Sequence, residues 1–280
     1  MYKRITAAQL AFFRQHLQEE EREPATIEKY LRDTGSFAAW LEGRAVTKEQ
    51  TSRWKEHLIR TGCQPVAVNA KLPALHKLFS LLGWSDCRVK YLRLQRRIFR
   101  HTEKELRKEE YCRLVETARG LGRERLALLM ETICATGIRV SEVPYITVEA
   151  LRAGRAEIAL KGKIRTVLLP EKLRRKLLKY AGKRKIASGE VFLTRSGRGL
   201  SRRQIWGEMK ALCQRAGVAA SKVFPHNLRH LFAQAFYRAC RDVVKLADVL
   251  GHSSIETTRI YLISTGVEHA WQLERLGLIT

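Results

Sequence analysis

Arg139, Lys161, His226, Arg229, His252 and Tyr261 follow one another through the second half of this 280-residue chain. If they act together, the fold must bring five separate stretches to one point. That requirement constrains the chain more than any local periodicity. Four of the stretches are Ala135-Thr136-Gly137-Ile138-Arg139-Val140-Ser141-Glu142, Leu160-Lys161-Gly162-Lys163, His226-Asn227-Leu228-Arg229-His230 and Leu250-Gly251-His252, and the fifth ends in Tyr261. Two arginines, a lysine and two histidines can surround one phosphodiester, and a tyrosine can attack it. Singly, each has an ordinary explanation: a surface arginine, a structural histidine, a core tyrosine. The set outweighs its members.

A phosphodiester resists attack because its non-bridging oxygens are negative, and the pentacoordinate transition state gathers more charge. Cationic side chains or metal ions answer that charge. The sequence has no H-E-x-x-H pattern, and neither a metal nor another cofactor is expected. Guanidinium geometry lets Arg139 and Arg229 each grip two phosphate oxygens. Glu142, three residues after Arg139, is placed to orient it by an i,i+3 contact. Pro225 suits the first position of a helix, which would set His226 and Arg229 on one face. His230 is expected to point away from that pair. A hairpin tip at Lys161-Gly162-Lys163 would project a lysine toward a DNA backbone, where it could protonate the leaving 5′ oxygen. Gly251 fits a helix C-terminus and leaves His252 in a turn. Ser253-Ser254-Ile255-Glu256 has the form of a capping box for the next helix, expected to carry Tyr261. A phenol with a pKa of about 10 is a weak nucleophile near neutral pH. Nearby cations and a proton acceptor such as His226 are needed to activate it.

Charge points to the same partner. Lys and Arg number 53 against 28 Asp and Glu, a formal charge of +25. Such an excess opposes compactness unless a polyanion compensates it, and nucleic acid is the leading candidate. An acidic membrane surface is the rival, but no apolar run reaches the length of about 18 residues that spans a bilayer. The N-terminus leads into an amphipathic pattern in place of a signal peptide's apolar core. The six cysteines are scattered without a C-x-x-C pair, which suits a reducing cytoplasm.

Hydrophobic periodicity predicts a mostly helical chain with a small β-sheet. Four helical stretches precede residue 83 (Thr26 is an expected N-cap, Thr47-Lys48-Glu49-Gln50 a capping box, Pro73 a kink or a start). Residues 88–100 then carry Arg88, Lys90, Arg93, Arg96, Arg97 and Arg100 with no acid, which reads as a DNA-facing linker. The expected organisation is an N-terminal helical domain over 1–100, a linker over 101–105 and a second domain over 106–280. In the second, helical patterns alternate with a hairpin at 156–169, where Gly162 supplies the turn.

In its motifs A-T-G-I-R-V-S-E, H-N-L-R-H and L-G-H followed by T-T-R-I-Y, the chain resembles the tyrosine recombinases, the phage-type or Xer-like integrases. The resemblance covers about residue 106 to the C-terminus, and the N-terminal helices look like the family's core-DNA-binding domain. The resemblance implies that Arg139, Lys161, His226, Arg229, His252 and Tyr261 form the active site, and it prefers Lys161 over Lys163. It further implies a 3′-phosphotyrosyl intermediate, independence from metal and ATP, double-stranded DNA sites with inverted repeats, and a homotetramer acting on two of them. The setting implied is a bacterial-type nucleoid in the cytoplasm. The apolar C-terminal segment, with Leu262, Ile263, Val267, Trp271, Leu273, Leu276 and Leu278, fits a helix docked on a neighbour or on its own domain. Two other functions compete: a type IB topoisomerase, and an architectural DNA-binding protein without catalysis.

Overall fold

The computed structural model describes residues 3–94, 102–160, 162–252, 254–259, 261 and 274–275, with backbone alone at 102 and 163. Lys161, Arg96, Arg97, Arg100, Ser253 and the C-terminal apolar segment lie outside the described residues. The chain divides into two compact units, residues 1–96 and 97–280.

The first unit is helical. Helix α1 (Ala7–Glu19) starts at Thr6, whose hydroxyl accepts from the Gln9 N–H while the Gln9 side chain accepts from the Thr6 N–H. Helix α2 (Pro24–Leu41) begins at Pro24 with Glu23 at its cap, so Thr26 is not the N-cap expected for it. Proline's fixed φ and missing N–H suit the first helical position, and that preference decides the start. Thr47 caps α3 (Lys48–Arg60) by accepting from the Gln50 N–H at 3.1 Å. The expected box is only half formed, because Gln50 Oε1 is buried without a partner. Helix α4 (Pro65–Leu81) starts at Pro65 and runs through Pro73. Phe37, Trp54, Leu72, Leu75 and Phe79 fill one core, with the Phe37 ring edge-on to Trp54 at 5.2 Å. Each such buried side chain contributes about 1.5–3 kcal/mol. An extended strap follows at 88–94. Val89 is buried in that core, and Asn69 clips Leu92 by accepting from its N–H at 2.8 Å and donating to its carbonyl at 2.9 Å. Arg88, Lys90 and Arg93 remain exposed.

The second unit is built on α5 (Lys108–Gly120) and α6 (Glu124–Thr136), whose Leu126, Leu129, Met130 and Ile133 are buried. A 3-10 turn at Val140–Tyr145 leads to α7 (Val148–Ala153) and to the antiparallel strands β1 (Arg155–Leu160) and β2 (Lys163–Leu168). Their register runs from Arg155↔Leu168 to Leu160↔Lys163, and Gly162 turns the hairpin at φ +67°. Ala156, Ile158 and Val167 face the core, whereas Ile164 and Leu168 are exposed. Next come α8 (Glu171–Lys183), α9 (Arg202–Lys210), α10 (Cys213–Ala216), α11 (Pro225–Cys240), α12 (Val243–Leu250) and the short α13 (Ile255–Arg259). Among the described residues no helix is long and apolar enough to cross a membrane.

Candidate active site

The site forms where helix ends meet. Helix α6 stops at Gly137, whose φ of +65° is a left-handed conformation that glycine adopts without strain. A Cβ there would lie 2.4 Å from Phe232, so the close approach of α11 also needs glycine. The Gly137 carbonyl is left pointing at Arg229, which donates to it through Nη1. Arg229 Nη2 donates to the Leu250 carbonyl at 2.8 Å and meets His252 Nε2 at 2.9 Å. The guanidinium is therefore held by the ends of two helices and a turn, and Arg229 is only 2% exposed. Burial, then the neighbouring charge of Arg139, lowers its pKa to about 10, against a hydrogen bond to Tyr261 that acts the other way. It stays charged at neutral pH.

Arg139 is held differently. Its Nη1 donates to Glu142 Oε1 at 2.8 Å and its backbone N–H to Glu142 Oε2 at 2.7 Å. The 3-10 turn makes this i,i+3 contact possible, and 40% of the Arg139 side chain stays open. Glu142 is buried, and Arg165 from β2 donates to its Oε2 at 2.6 Å. Burial alone would raise the carboxyl pKa. The Arg139 N–H and Arg165 outweigh it and hold Glu142 below the usual carboxylate range. Arg139, Ser141, Glu142, Ile158, Leu160, Arg165 and Gly251 line a cavity of about 390 Å³. A larger open cleft of about 1010 Å³, beside the start of α6 and α9, contains none of the predicted residues.

Tyr261 lies in a turn just past α13, not on that helix, and is 3% exposed. Its ring sits 5.9 Å from His252 in a stacked arrangement, 6.1 Å from His226 and 4.9 Å edge-on from His230. His230 thus faces the same side as His226, contrary to expectation. Four residues at 100° each bring the direction back to within 40° of the start. His252 Nδ1 lies 2.8 Å from Thr258 Oγ1. Because arginine has only donors, His252 Nε2 must accept from Arg229, which leaves the proton on Nδ1. Burial, then the charges of Arg229, Arg139 and Arg165, lower the His252 pKa to about 4. The pKa of His226, at the start of α11, is lowered by burial and by Arg229 and Arg139. Both imidazoles are neutral at pH 7.

The described fold therefore gathers Arg139, Glu142, His226, Arg229, His252 and Tyr261. Lys161 lies outside the described residues. At the start of α13, Ser254 Oγ accepts from the Glu256 N–H at 3.3 Å. Sequence reasoning missed three participants. Arg165 shares the inward register of β2 with Val167, and a cation on a core-facing strand position was the available signal. Asn227 fixes the start of α11 by donating to the carbonyls of Lys104 and Lys222 at 2.8 and 2.7 Å. His230 is the third. Among the described residues no three His, Cys, Asp or Glu side chains group as metal ligands would.

Arginines and histidines are thus drawn around one buried tyrosine where helix ends meet. Residues 104–266 match the phage integrase family, and the chain belongs to it as a tyrosine recombinase. Tyrosine recombinase XerA of Thermococcus kodakarensis is 30% identical over 92% of this chain and 90% of its own length. XerA of Pyrococcus furiosus is 27% identical over 99% and 96%. XerD of Brucella suis is 38% identical over 49% of this chain and 47% of its own. The fold is shared with the XerH site-specific recombinase bound to difH substrate (TM-score 0.68, 20% identity, 95% of this chain, 84% of that one). It is shared too with a lambda integrase dimer bound to a COC′ core site (TM-score 0.71, 15% identity, 91% and 94%).

Proposed function

We propose that this protein cuts and rejoins DNA strands at specific sites through a 3′-phosphotyrosyl intermediate. The observation that carries the reading is the buried Tyr261 ring, stacked on His252, which Arg229 bonds, and surrounded by His226 and His230. The Tyr261 oxygen attacks phosphorus, and its proton passes to neutral His226. The bond from phosphorus to the 5′ oxygen breaks, and Lys161 supplies that oxygen's proton. Arg139 and Arg229 neutralise the charge on the non-bridging oxygens. The covalent link conserves the phosphoester, so a 5′ hydroxyl from a partner strand can reverse the step without ATP or a metal. The N-terminal helices and the strap bind the DNA. Four copies act on two sites built from inverted repeats, with the C-terminal segment joining neighbours. DNA-bound structures of XerH and lambda integrase support a DNA partner by likeness of fold.

A nicked suicide substrate, made from inverted repeats that flank the gene, tests this reading. The wild-type chain should trap a covalent complex and yield strand-exchange product. Tyr261→Phe should abolish the complex while DNA binding survives. An adduct that persists in Tyr261→Phe removes this tyrosine as nucleophile. Relaxation of any supercoiled plasmid without strand exchange would point to a topoisomerase.

A further inference from the structure

We infer that Arg165 is a positioning residue for Arg139, an inference that rests on the recombinase reading above. Arg165 is a strand residue with a side chain only 14% exposed. A guanidinium is costly to bury unless it is paired and hydrogen-bonded, so its partners are informative. Nη2 donates to Glu142 Oε2 at 2.6 Å, and Nη1 donates to the Val249 carbonyl at 2.8 Å. Its stem lies against Gly251, where a Cβ would come within 2.4 Å of Arg165 Cδ. One side chain thus joins β2, the turn that bears Glu142, and the end of α12 just before His252. Its Nε is buried without a partner, and Arg165 lines the same cavity as Arg139.

The consequence is electrostatic. A carboxylate held by Arg139 alone would orient that guanidinium and also cancel its charge. Here Glu142 is shared: Oε1 holds the Arg139 side chain, and Oε2 is taken by the Arg139 backbone N–H and by Arg165. Arg165 balances the carboxylate, so Arg139 is oriented and keeps its charge for a phosphate. Without Arg165, the buried Glu142 would draw Arg139 inward and neutralise it.

Strand cleavage by the full chain is compared on two suicide substrates that differ only at the scissile linkage. One carries the ordinary phosphate, and the other a methylphosphonate, in which a methyl group replaces one charged oxygen. The neutral linkage needs less cationic help. Arg165→Gln should bind DNA as the wild type does and cleave the phosphate about 10²-fold more slowly. On the methylphosphonate its deficit should shrink to less than about tenfold, in parallel with Arg139→Ala as the reference. Equal slowing on both substrates, as a general structural defect would give, overturns the inference, and so does no slowing. Should Arg165→Gln fail to fold, Arg165→Met, which keeps an apolar stem against Gly251 and removes the charge, is read on the same pair with the same outcomes deciding. A wild-type chain that cleaves neither substrate sinks the recombinase reading; a wild type that cleaves, matched by Arg165→Gln, sinks only this one.

Discussion

Two regions of this molecule carry their cations in opposite ways. In the strap after α4, Arg88, Lys90 and Arg93 are exposed, and what is fixed is the backbone, through buried Val89 and the Asn69 clip on Leu92. In the site, Arg229 is buried and Arg165 half-buried, and what is fixed is the guanidinium itself. Exposed cations on a set backbone attract any phosphate and are screened by salt. Buried, bonded cations lose that reach and gain direction. On the recombination mechanism proposed above, the strap serves affinity and the site the transition state, and the two should separate under substitution.

The largest separation is expected from Arg229→Ala. On the proposed mechanism it removes a phosphate donor, and it leaves two carbonyls and His252 Nε2 without their partner. Loss of one such donor slows the chemical step by about 10²–10³-fold. Each buried group left unpaired costs about 1–3 kcal/mol of stability. Cleavage measured at saturating protein should show the first effect, and thermal melting the second, while the salt dependence of DNA binding stays unchanged. If Arg229→Ala instead weakens binding and leaves cleavage of bound DNA intact, the distinction between the two regions breaks.

The strap should behave in reverse. Replacing Arg88, Lys90 and Arg93 together by alanine should reduce the slope of log affinity against log salt by about 3, at about 0.9 per phosphate contact. Cleavage of saturated complexes should be unchanged. An unaltered slope would mean that these side chains do not face phosphates.

How far each region could be read in advance follows from where the partners lie in the chain. The Arg139–Glu142 pair was legible because both partners sit within one turn. The helix start at Pro225 and the ends at Gly137 and Gly251 were legible for the same reason, since capping is local. Arg165 was not, because its acceptors come from the turn at 140–145 and from the end of α12, far along the chain. Asn227 was hidden likewise, as it bonds Lys104. His230 was within reach of simple geometry, because i and i+4 share a helix face. Thr26 shows two local rules in conflict, with a proline start overriding a threonine cap. The two-cornered grip on Glu142 is a property of packing, and no window of sequence contains it.

The smallest expected effect concerns protons. The strap carries no histidine, whereas three surround Tyr261 in the site. Of these, His252 has an ordinary pKa of 6.5 in the unfolded chain and about 4 in the fold. Above pH 6.5 both states hold it neutral and it adds no pH dependence. Between about 6.5 and 4 the unfolded chain takes up a proton that the folded chain refuses, so stability falls as pH falls. Below about 4 both are protonated and this contribution is flat. His226 acts in the same direction. His252→Gln keeps an acceptor for Arg229 and removes the titration. The fall in melting temperature between pH 7 and pH 4.5 should be smaller for His252→Gln than for the wild type by about 2–4 °C, the equivalent of about 1 kcal/mol in a unit of this size. Equal falls in the two proteins would mean that His252 is not held neutral by its guanidinium neighbours, and the site would then be no more selective about charge than the strap.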